Sequence, residues 1–352
     1  MEIKITETSS PKPLPNEKSL GFGKYFTDHM LIIEHSEGGW KNARIVPFGN
    51  LSLSPASTVF HYGAEIFEGM KVYYGADGKL RMFRPEENMK RMNNSAERLA
   101  LPVFDGEEFL AAIKKLISID KRFVPKSEGT SLYVRPFLFG NEPHLGVHAV
   151  TEAMFVTILS PVGAYYESGL KPVKIAIESE DVRAVRGGTG YAKCGGNYGA
   201  SLRAGKRAAL KGFSQVLWLD GVERKYIEEV GSMNVFFKID GKIITPALTG
   251  SVLPGITRMS CVELLKSRGY TVEERLLSVD ELIDAAKNGK LDEAFGTGTA
   301  AVVSPIGELS YKGDEYIIPS DGKTLAMALY DELTGIQYGK TEDKFGWTEV
   351  LD

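Results

Sequence analysis

The stretch that decides the fold is Gly187-Gly188-Thr189-Gly190-Tyr191-Ala192-Lys193-Cys194-Gly195-Gly196-Asn197-Tyr198-Gly199, in which one lysine lies between two glycine clusters. Glycine permits positive φ and close backbone approach at an entropic cost, so stability alone does not explain this density of glycines. The lysine is either a solvated charge on a flexible turn or a reactive amine presented to a ligand. The stretch by itself favours neither reading.

The glycines around Lys193 do not form a P-loop. That motif needs Gly directly before the lysine and Ser or Thr directly after it, whereas Ala192 and Cys194 stand there. A dinucleotide fingerprint is also weakly supported, because it requires a preceding strand and an acidic residue for the ribose. The remaining use of a buried lysine is Schiff-base chemistry with an aldehyde cofactor, usually pyridoxal phosphate. Such a site needs an acid for the pyridine nitrogen, a donor for the ring hydroxyl and a phosphate cradle.

The composition is that of an ordinary globular protein. With 352 residues, 43% hydrophobic and 25% charged, the chain is long for one core, so two domains are expected. A net charge of −4 without a basic block argues against a nucleic-acid partner. Residues 1–18 lack the apolar core of a signal peptide, and no apolar run approaches the roughly 20 residues that span a membrane. Two cysteines make no disulfide framework, which indicates a reducing, cytoplasmic compartment.

Hydrophobic periodicity predicts an α/β chain with two domains. Strands are expected at 28–33, 43–47, 72–74, 80–83, 131–139, 154–159, 173–177, 215–220, 234–239 and 242–245. Helices are expected at 85–99, 107–122, 197–211, 259–267 and 279–288. The Pro- and Gly-containing segment 161–172 reads as a linker between domains 1–160 and 173–352.

Several charged residues have two readings each. Arg91 borders the apolar stripe of its helix, where a solvated charge is the commoner explanation. Tyr133 and Arg135 project from the same face of a strand, so the arginine meets either a substrate carboxylate or an internal salt bridge. Of the neighbours Glu228 and Glu229, one is expected to face solvent and the other a cationic group.

Two further turns suggest a phosphate cradle. Segment 253–258 brings backbone N–H groups and a threonine hydroxyl to a helix N-terminus, an arrangement that binds phosphate readily. Segment 296–301 is expected to be a second small-residue turn with hydroxyls. Each turn alone is ordinary, but both accompany the Lys193 stretch. The aromatic and polar run 58–71 reads as core or as the wall of a small-molecule pocket.

Together these segments resemble the class IV, fold-type-IV pyridoxal phosphate enzymes and, more narrowly, the branched-chain amino-acid aminotransferases. The resemblance spans nearly the whole chain, through segments 22–30, 67–71, 88–92, 133–136, 140–147, 193–198, 229–234, 253–258 and 296–300. It implies a small N-terminal α/β domain and a larger C-terminal domain with a β-barrel-like core flanked by helices. It also implies transfer of an amino group between L-leucine, L-isoleucine or L-valine and 2-oxoglutarate.

The resemblance assigns roles around pyridoxal phosphate. Lys193 matches the catalytic Schiff-base lysine, Glu229 the acid at the pyridine nitrogen and Tyr198 the partner of the ring hydroxyl. Arg91 matches a phosphate ligand, which reverses the reading as a solvated charge. Glu228 is then the solvent-facing neighbour. The other implied phosphate contacts are Ile256, Thr257 and Thr299.

The resemblance also assigns a substrate site. Tyr62, Tyr133 and Arg135 would handle carboxylates. Apolar and lining positions would be Phe22, Phe67, Tyr165, Ser232 and Ala300. Leu145 and Val147 would reach the site of a partner subunit, which implies a homodimer, with higher assembly left open. No metal site is expected. The partners expected are amino acids and 2-oxo acids.

Three alternatives stay open at this point. D-amino-acid aminotransferase and aminodeoxychorismate lyase share the fold, although the Tyr-Val-Arg strand and the Phe-Glu-Gly-Met run favour branched-chain substrates. A phosphate- or nucleotide-binding protein without enzymatic activity would use the glycine loops but would not need Lys193. The absorbance of a Schiff-base cofactor distinguishes the last alternative from the enzymes.

Overall fold

The computed structural model describes residues 1–163, 170–319 and 324–351, and these form a mixed α/β fold. The described helices are α1 (Thr58–Tyr62), α2 (Pro85–Arg98), α3 (Gly106–Ile119), α4 (Gly195–Leu210), α5 (Ile256–Ser267), α6 (Val279–Lys287) and α7 (Leu325–Gln337). None of the helices in these ranges combines the length and apolarity needed to cross a membrane.

The chain divides into two compact units. The first comprises Met1–Glu167, Ala192–Gly195 and Gly335–Asp352, and the second comprises Ser168–Tyr191 and Gly196–Thr334. The lysine segment and the C-terminal segment thus go with the first unit, although they follow the predicted linker. For the C-terminal segment the reason is strand pairing, because Thr348 to Leu351 pair antiparallel with Phe83 to Leu80. The predicted domains 1–160 and 173–352 remain a prediction.

The first unit is built on one mostly antiparallel sheet. Its strands are β1 (Lys4–Ile5), β2 (His29–Ser36), β3 (Gly39–Pro47), β4 (Glu65–Phe67), β5 (Met70–Tyr74), β6 (Leu80–Phe83), β7 (Ser131–Gly140), β8 (Ala153–Val162) and β18 (Thr348–Leu351). Their order is β1-β3-β2-β8-β7-β5-β6-β18, and β4 pairs with β7 beside this path. Buried Met89 and Met92 of α2 and Ile113 and Leu116 of α3 join the apolar side chains of the sheet in one core.

The second unit is built on another sheet. Its strands are β9 (Val173–Ile177), β10 (Gln215–Leu219), β11 (Ile227–Val230), β12 (Asn234–Ile239), β13 (Lys242–Pro246), β14 (Val272–Arg275), β15 (Leu291–Gly298), β16 (Val302–Tyr311) and β17 (Asp314–Ile317). Their order is β11-β10-β9-β16-β15-β12-β13-β14, and β17 pairs with β16 beside this path. Leu282 and Ile283 of α6 pack into the core of this sheet with Phe237 and Leu309.

Most predicted elements are confirmed, and two are corrected. Helix α5 begins at Ile256 instead of the predicted residue 259, because Gly255 already has the extended backbone of an N-cap. The predicted turn at 296–301 is shorter, because Gly296 to Gly298 complete β15 by pairing with β16. The turn itself occupies only residues 299–301.

Candidate active site

Lys193 lies on a short segment that the first unit holds firmly. Its backbone N–H donates to Ser95 Oγ at 2.9 Å, and its carbonyl accepts from the Phe67 N–H at 3.0 Å. The next residue, Cys194, forms an isolated β-bridge with Ile66. The lysine is therefore fixed against β4 and α2, and the reading as a charge on a flexible turn is wrong.

The surroundings of Lys193 favour the neutral amine. Its Nζ lies 4.9 Å from the centroid of the Phe67 ring. Burial lowers the pKa of Lys193, and the nearby positive charge of Arg91 lowers it further, against the opposing effect of Glu68. A neutral amine is the nucleophilic form of lysine, so this environment suits attack on a carbonyl carbon.

Arg91 is buried in an ion pair. Its Nε lies 2.7 Å from Glu68 Oε1 and its Nη2 lies 2.9 Å from Glu68 Oε2, and Asn88 Nδ2 donates to the same carboxylate at 2.8 Å. Glu68 is 0% exposed and Arg91 is 7% exposed, so the reading of Arg91 as a solvated charge is wrong. Burial raises the pKa of Glu68, but the charge and hydrogen bonds of Arg91 outweigh it and leave that pKa lowered.

Glu65 marks the end of the lysine segment. One of its carboxylate oxygens accepts the Gly195 N–H, and a Cβ at residue 195 would collide with that same oxygen. A larger residue at position 195 would therefore have to displace the Glu65 carboxylate. Burial raises the pKa of Glu65, against the opposing charge of Arg135.

The structure brings four predicted substrate residues together in the first unit. Arg135 Nη2 donates to the Tyr133 hydroxyl at 3.0 Å, and the Arg135 guanidinium carbon lies 4.6 Å from the centroid of the Phe67 ring. The Phe22 ring meets Tyr133 edge-on at 4.9 Å. Arg135 Nε is buried and has no hydrogen-bond partner among the described residues. A half-buried guanidinium with an unused donor, beside aromatic rings, suits the capture of a carboxylate.

Tyr62 and the loop after β7 form a separate, exposed group. The Tyr62 hydroxyl donates to the Leu145 carbonyl at 2.6 Å. Tyr62 is 42% exposed, Leu145 65% and Val147 83%, so these side chains are not enclosed within the first unit. Tyr165 lies outside the described residues.

Glu229 is the centre of the cluster in the second unit. It is 3% exposed, and its Oε1 accepts the Leu253 N–H at 2.8 Å. Arg183 Nε lies 3.1 Å from the other carboxylate oxygen. Arg183 also donates to the carbonyls of Gly190 and Ser251. The carboxylate is therefore held by the backbone that leads into α5.

The expected solvent-facing position of Glu228 is wrong. Glu228 is 4% exposed, and Ser251 Oγ donates to its Oε1. The reason is that all four residues of β11 are buried. Both faces of this strand are therefore covered, and neither of two adjacent side chains reaches solvent. Burial raises the pKa of Glu228, which favours its neutral form.

The start of α5 has the features of an anion site. Gly255 is the N-cap, and no side chain caps the helix. Ile256 and Thr257 are both 7% exposed, so their backbone N–H groups and the threonine hydroxyl lie in a sheltered first turn. Uncapped N–H groups at a helix start carry partial positive charge and bind phosphate.

The other predicted residues of the second unit lie in three places: on α4, in the turn after β15 and in the turn after β11. Tyr198 is half-buried on α4, whose Asn197 exchanges two hydrogen bonds with Thr189, of 2.7 and 2.8 Å. These bonds tie the glycine stretch to the helix. Thr299 and Ala300 are half-buried in the turn after β15, and Ser232 is exposed.

Sequence reasoning missed Glu68 and Arg183. Each pairs with a charged residue far along the chain, Glu68 with Arg91 and Arg183 with Glu229. The available signal was an arginine or acid inside an otherwise apolar or glycine-rich stretch, since a buried charge requires a partner. That signal predicts burial of a pair but not which residues pair.

Known proteins resemble this chain in both sequence and fold. The amino-transferase class IV family matches residues 65–309. Branched-chain-amino-acid aminotransferase 2 of Bacillus subtilis (strain 168) is 54% identical over 99% of this chain and 96% of its own length. A probable branched-chain-amino-acid aminotransferase of Staphylococcus aureus (strain N315) is 52% identical over 99% of this chain and 98% of its own length.

Two solved structures share the fold. The Escherichia coli branched-chain amino acid aminotransferase superposes with a TM-score of 0.76 at 27% identity, over 92% of this chain and 99% of that chain. The T.th. branched-chain amino acid aminotransferase complexed with N-(5'-phosphopyridoxyl)-L-glutamate superposes with a TM-score of 0.75 at 29% identity, over 92% of this chain and 98% of that chain. With a sequence match over most of its length and this agreement in fold, the chain belongs to the class IV aminotransferase family.

Proposed function

We propose that this protein is a pyridoxal phosphate-dependent branched-chain-amino-acid aminotransferase. It transfers an amino group between L-leucine, L-isoleucine or L-valine and 2-oxoglutarate, and it produces branched-chain 2-oxo acids and L-glutamate. The observation that carries this proposal is Lys193, an amine of lowered pKa held by Ser95 and Phe67. Relatives of that name align over nearly the whole chain, which supports the substrate class.

The donor groups of the chain fit this cofactor. The amine of Lys193 suits an aldehyde, the carboxylate of Glu229 suits a ring nitrogen and the hydroxyl of Tyr198 suits a ring oxygen. The uncapped start of α5 at Ile256 and Thr257 suits a phosphate. Arg91 and Thr299 complete the proposed phosphate contacts. Pyridoxal phosphate, when bound, acts as an electron sink that makes the substrate Cα–H acidic.

Lys193 is the proposed acid and base. In the neutral form that burial favours, its Nζ would take the proton from the substrate Cα and hold it for the proton return that completes the transfer. Glu68 holds Arg91 in a fixed orientation beside the lysine through two hydrogen bonds. The Leu253 N–H anchors the carboxylate of Glu229. This carboxylate would supply the negative charge that stabilises a protonated ring nitrogen.

The proposed substrate site must accept an apolar side chain and the second carboxylate of glutamate. Phe22 and Phe67, with Tyr165, form its apolar walls. Arg135 and Tyr133 hold carboxylates, and Arg135 Nε supplies the unused donor. The lining also includes Tyr62, Ser232 and Ala300.

A homodimer completes the proposal. In this proposal Leu145 and Val147, which are exposed, would reach the site of a partner subunit. Assembly beyond the dimer is left open. Two buried free cysteines agree with the proposed cytoplasmic location.

The test is a steady-state panel of L- and D-amino acids with 2-oxoglutarate. The proposal predicts that L-leucine, L-isoleucine and L-valine give L-glutamate and that D-alanine does not. In the same panel, Arg135→Ala should lower kcat/KM for glutamate at least about tenfold more than for leucine, since a charged hydrogen bond contributes roughly 1.5–3 kcal/mol. Turnover of D-alanine alone would favour a D-amino-acid aminotransferase, and equal losses would give Arg135 a structural role.

A further inference from the structure

The loop between β7 and β8 carries a second cluster of chemically competent side chains. Its sequence from residue 141 is Asn-Glu-Pro-His-Leu-Gly-Val-His, which contains two of the five histidines of the chain. One ligand atom each from Glu142, His144 and His148 lies within 4.8 Å of the others. No metal site is expected from the sequence, and the resemblance gives a role only to the apolar residues Leu145 and Val147 of this loop.

His148 is oriented as a metal ligand would be. Its Nδ1 lies 2.6 Å from the Gly146 carbonyl oxygen, and its Nε2 lies 2.9 Å from Glu142 Oε2. The carbonyl and the carboxylate only accept, so both ring nitrogens carry protons here, and a metal ion at Nε2 would replace the proton that this nitrogen shares with Glu142. Metal-binding histidines are held in the same way, with the second ring N–H donated to a carbonyl.

The other two groups are also held in place. Thr151 donates to both oxygens of Glu142, from its N–H at 3.2 Å and its hydroxyl at 3.1 Å. The rings of His144 and His148 lie 4.6 Å apart between centroids. A Cβ at residue 146 would come within 2.8 Å of His144 Nε2, so the His144 ring folds back over Gly146.

We propose that Glu142, His144 and His148 form a binding site for a divalent transition-metal ion, with Zn²⁺ as the probe. Zinc takes nitrogen and oxygen ligands at about 2.0–2.2 Å, which places tetrahedral ligand atoms about 3.3 Å apart. The three groups therefore need to draw together by at most about 1.5 Å from their present separation. Two imidazoles favour zinc, copper or nickel over magnesium and calcium. Water would fill the remaining position.

The two histidines of the proposed metal site flank the apolar residues of the loop in sequence. Leu145 lies between the two histidines of the cluster, and so does Val147. A metal held by residues on both sides would restrain this part of the backbone. Metal binding would therefore reduce the mobility of the loop, which can be measured without any assay of activity.

The test uses the untagged holoprotein, stripped of metal with a chelator and titrated with Zn²⁺ by calorimetry. The proposal predicts saturable binding of about one ion per chain, no competition from Mg²⁺, and slower hydrogen exchange across residues 144–148. Loss of an outer-shell partner alone weakens metal binding by roughly 10–100-fold, so His144→Gln and His148→Gln should each weaken it at least that much.

His61→Gln is the matched control, since His61 is an exposed histidine whose ring contacts the Pro55 carbonyl instead of the cluster. It should bind zinc as the parent protein does. The proposal is overturned if no saturable zinc binding occurs, or if zinc affinity is the same in the parent protein and both cluster variants. In either case Glu142 and His148 form only a surface ion pair.

Discussion

The two units each bury one arginine–glutamate pair, and the pairs are built differently. In the first unit both oxygens of Glu68 receive hydrogen bonds from Arg91, at 2.7 and 2.9 Å. In the second unit Arg183 Nε lies 3.1 Å from one oxygen of Glu229, and Arg183 also donates to two backbone carbonyls. The first arginine thus meets its carboxylate through two side-chain hydrogen bonds, whereas the second combines a carboxylate with backbone acceptors.

This difference separates two ways of positioning a charge. Glu68 and Arg91 neutralise each other beside Lys193, so the lysine sees opposing charges and burial decides its lowered pKa. Glu229 instead receives a backbone N–H from Leu253, which ties its carboxylate to the segment before α5. The first pair thus leaves burial to decide the protonation of the amine, and the second fixes the position of an acid.

The largest expected effect comes from removing the lysine that lies beside the first pair. Lys193→Ala should bind pyridoxal phosphate without covalent attachment and lose at least about 10²–10⁴-fold in kcat/KM for leucine. Mass spectrometry after borohydride reduction and steady-state kinetics measure the two effects. The control is Lys71→Met, which removes another lysine of the first unit, one whose pKa burial lowers to about 8. It should keep the covalent attachment. Undiminished leucine transamination by Lys193→Ala would refute the assignment.

The next effect compares the two pairs directly. Glu68→Gln removes the carboxylate charge that meets the buried Arg91 through two hydrogen bonds and should lower the free energy of unfolding of the cofactor-free protein by about 3–5 kcal/mol. Glu229→Gln should cost less, because Arg183 keeps its two carbonyl acceptors. Urea denaturation measures both variants. Equal losses, or a larger loss for Glu229→Gln, would contradict the distinction between the pairs.

A smaller effect tests whether Arg91 also binds the cofactor. Arg91→Ala should weaken pyridoxal phosphate binding by roughly 1.5–3 kcal/mol, the scale of a charged hydrogen bond. The control is Arg98→Ala, because Arg98 is exposed on the same helix. Equilibrium dialysis gives both dissociation constants. If they are equal, Arg91 only balances the charge of Glu68.

The smallest effect concerns the neighbour of Glu229. The pKa of Glu228 in the folded protein is raised from its ordinary value of 4.5. The protonated side chain therefore stabilises the folded state fully below pH 4.5, and this stabilisation is lost as pH rises through the folded-state pKa. Glu228→Gln cannot ionise and avoids this loss. Its unfolding free energy, relative to the parent protein, should therefore increase with pH. Denaturation at several pH values measures this, and a difference that does not vary with pH would contradict it.

The sequence predicted local structure better than charge pairing. The stripe of Met89 and Met92 predicted α2, and Ser278 followed by Glu281 predicted the cap of α6 that the structure shows. Periodicity predicts such elements because it records which face of a segment is buried. Arg91 shows the limit of this reasoning, since its position at the edge of an apolar stripe fits both solvation and burial.

Only the local part of the candidate site could be predicted from the sequence. The glycine stretch indicated a ligand near Lys193, but the groups that hold the lysine, Ser95 and Phe67, are distant along the chain. Glu228 was placed in solvent because adjacent acids usually diverge, and a fully buried strand removes that difference. Contacts of this kind depend on how the sheets fold, which no local pattern specifies.

The most direct test of the central claim is a single half-reaction. Holoprotein is mixed with L-leucine in the absence of any 2-oxo acid, and the branched-chain 2-oxo acid product is quantified against bound cofactor. The account predicts about one equivalent of product per cofactor from L-leucine, none from D-leucine and none with Lys193→Ala, because the lysine is the base that removes the Cα proton. No product from L-leucine, or equal product from Lys193→Ala, would contradict it.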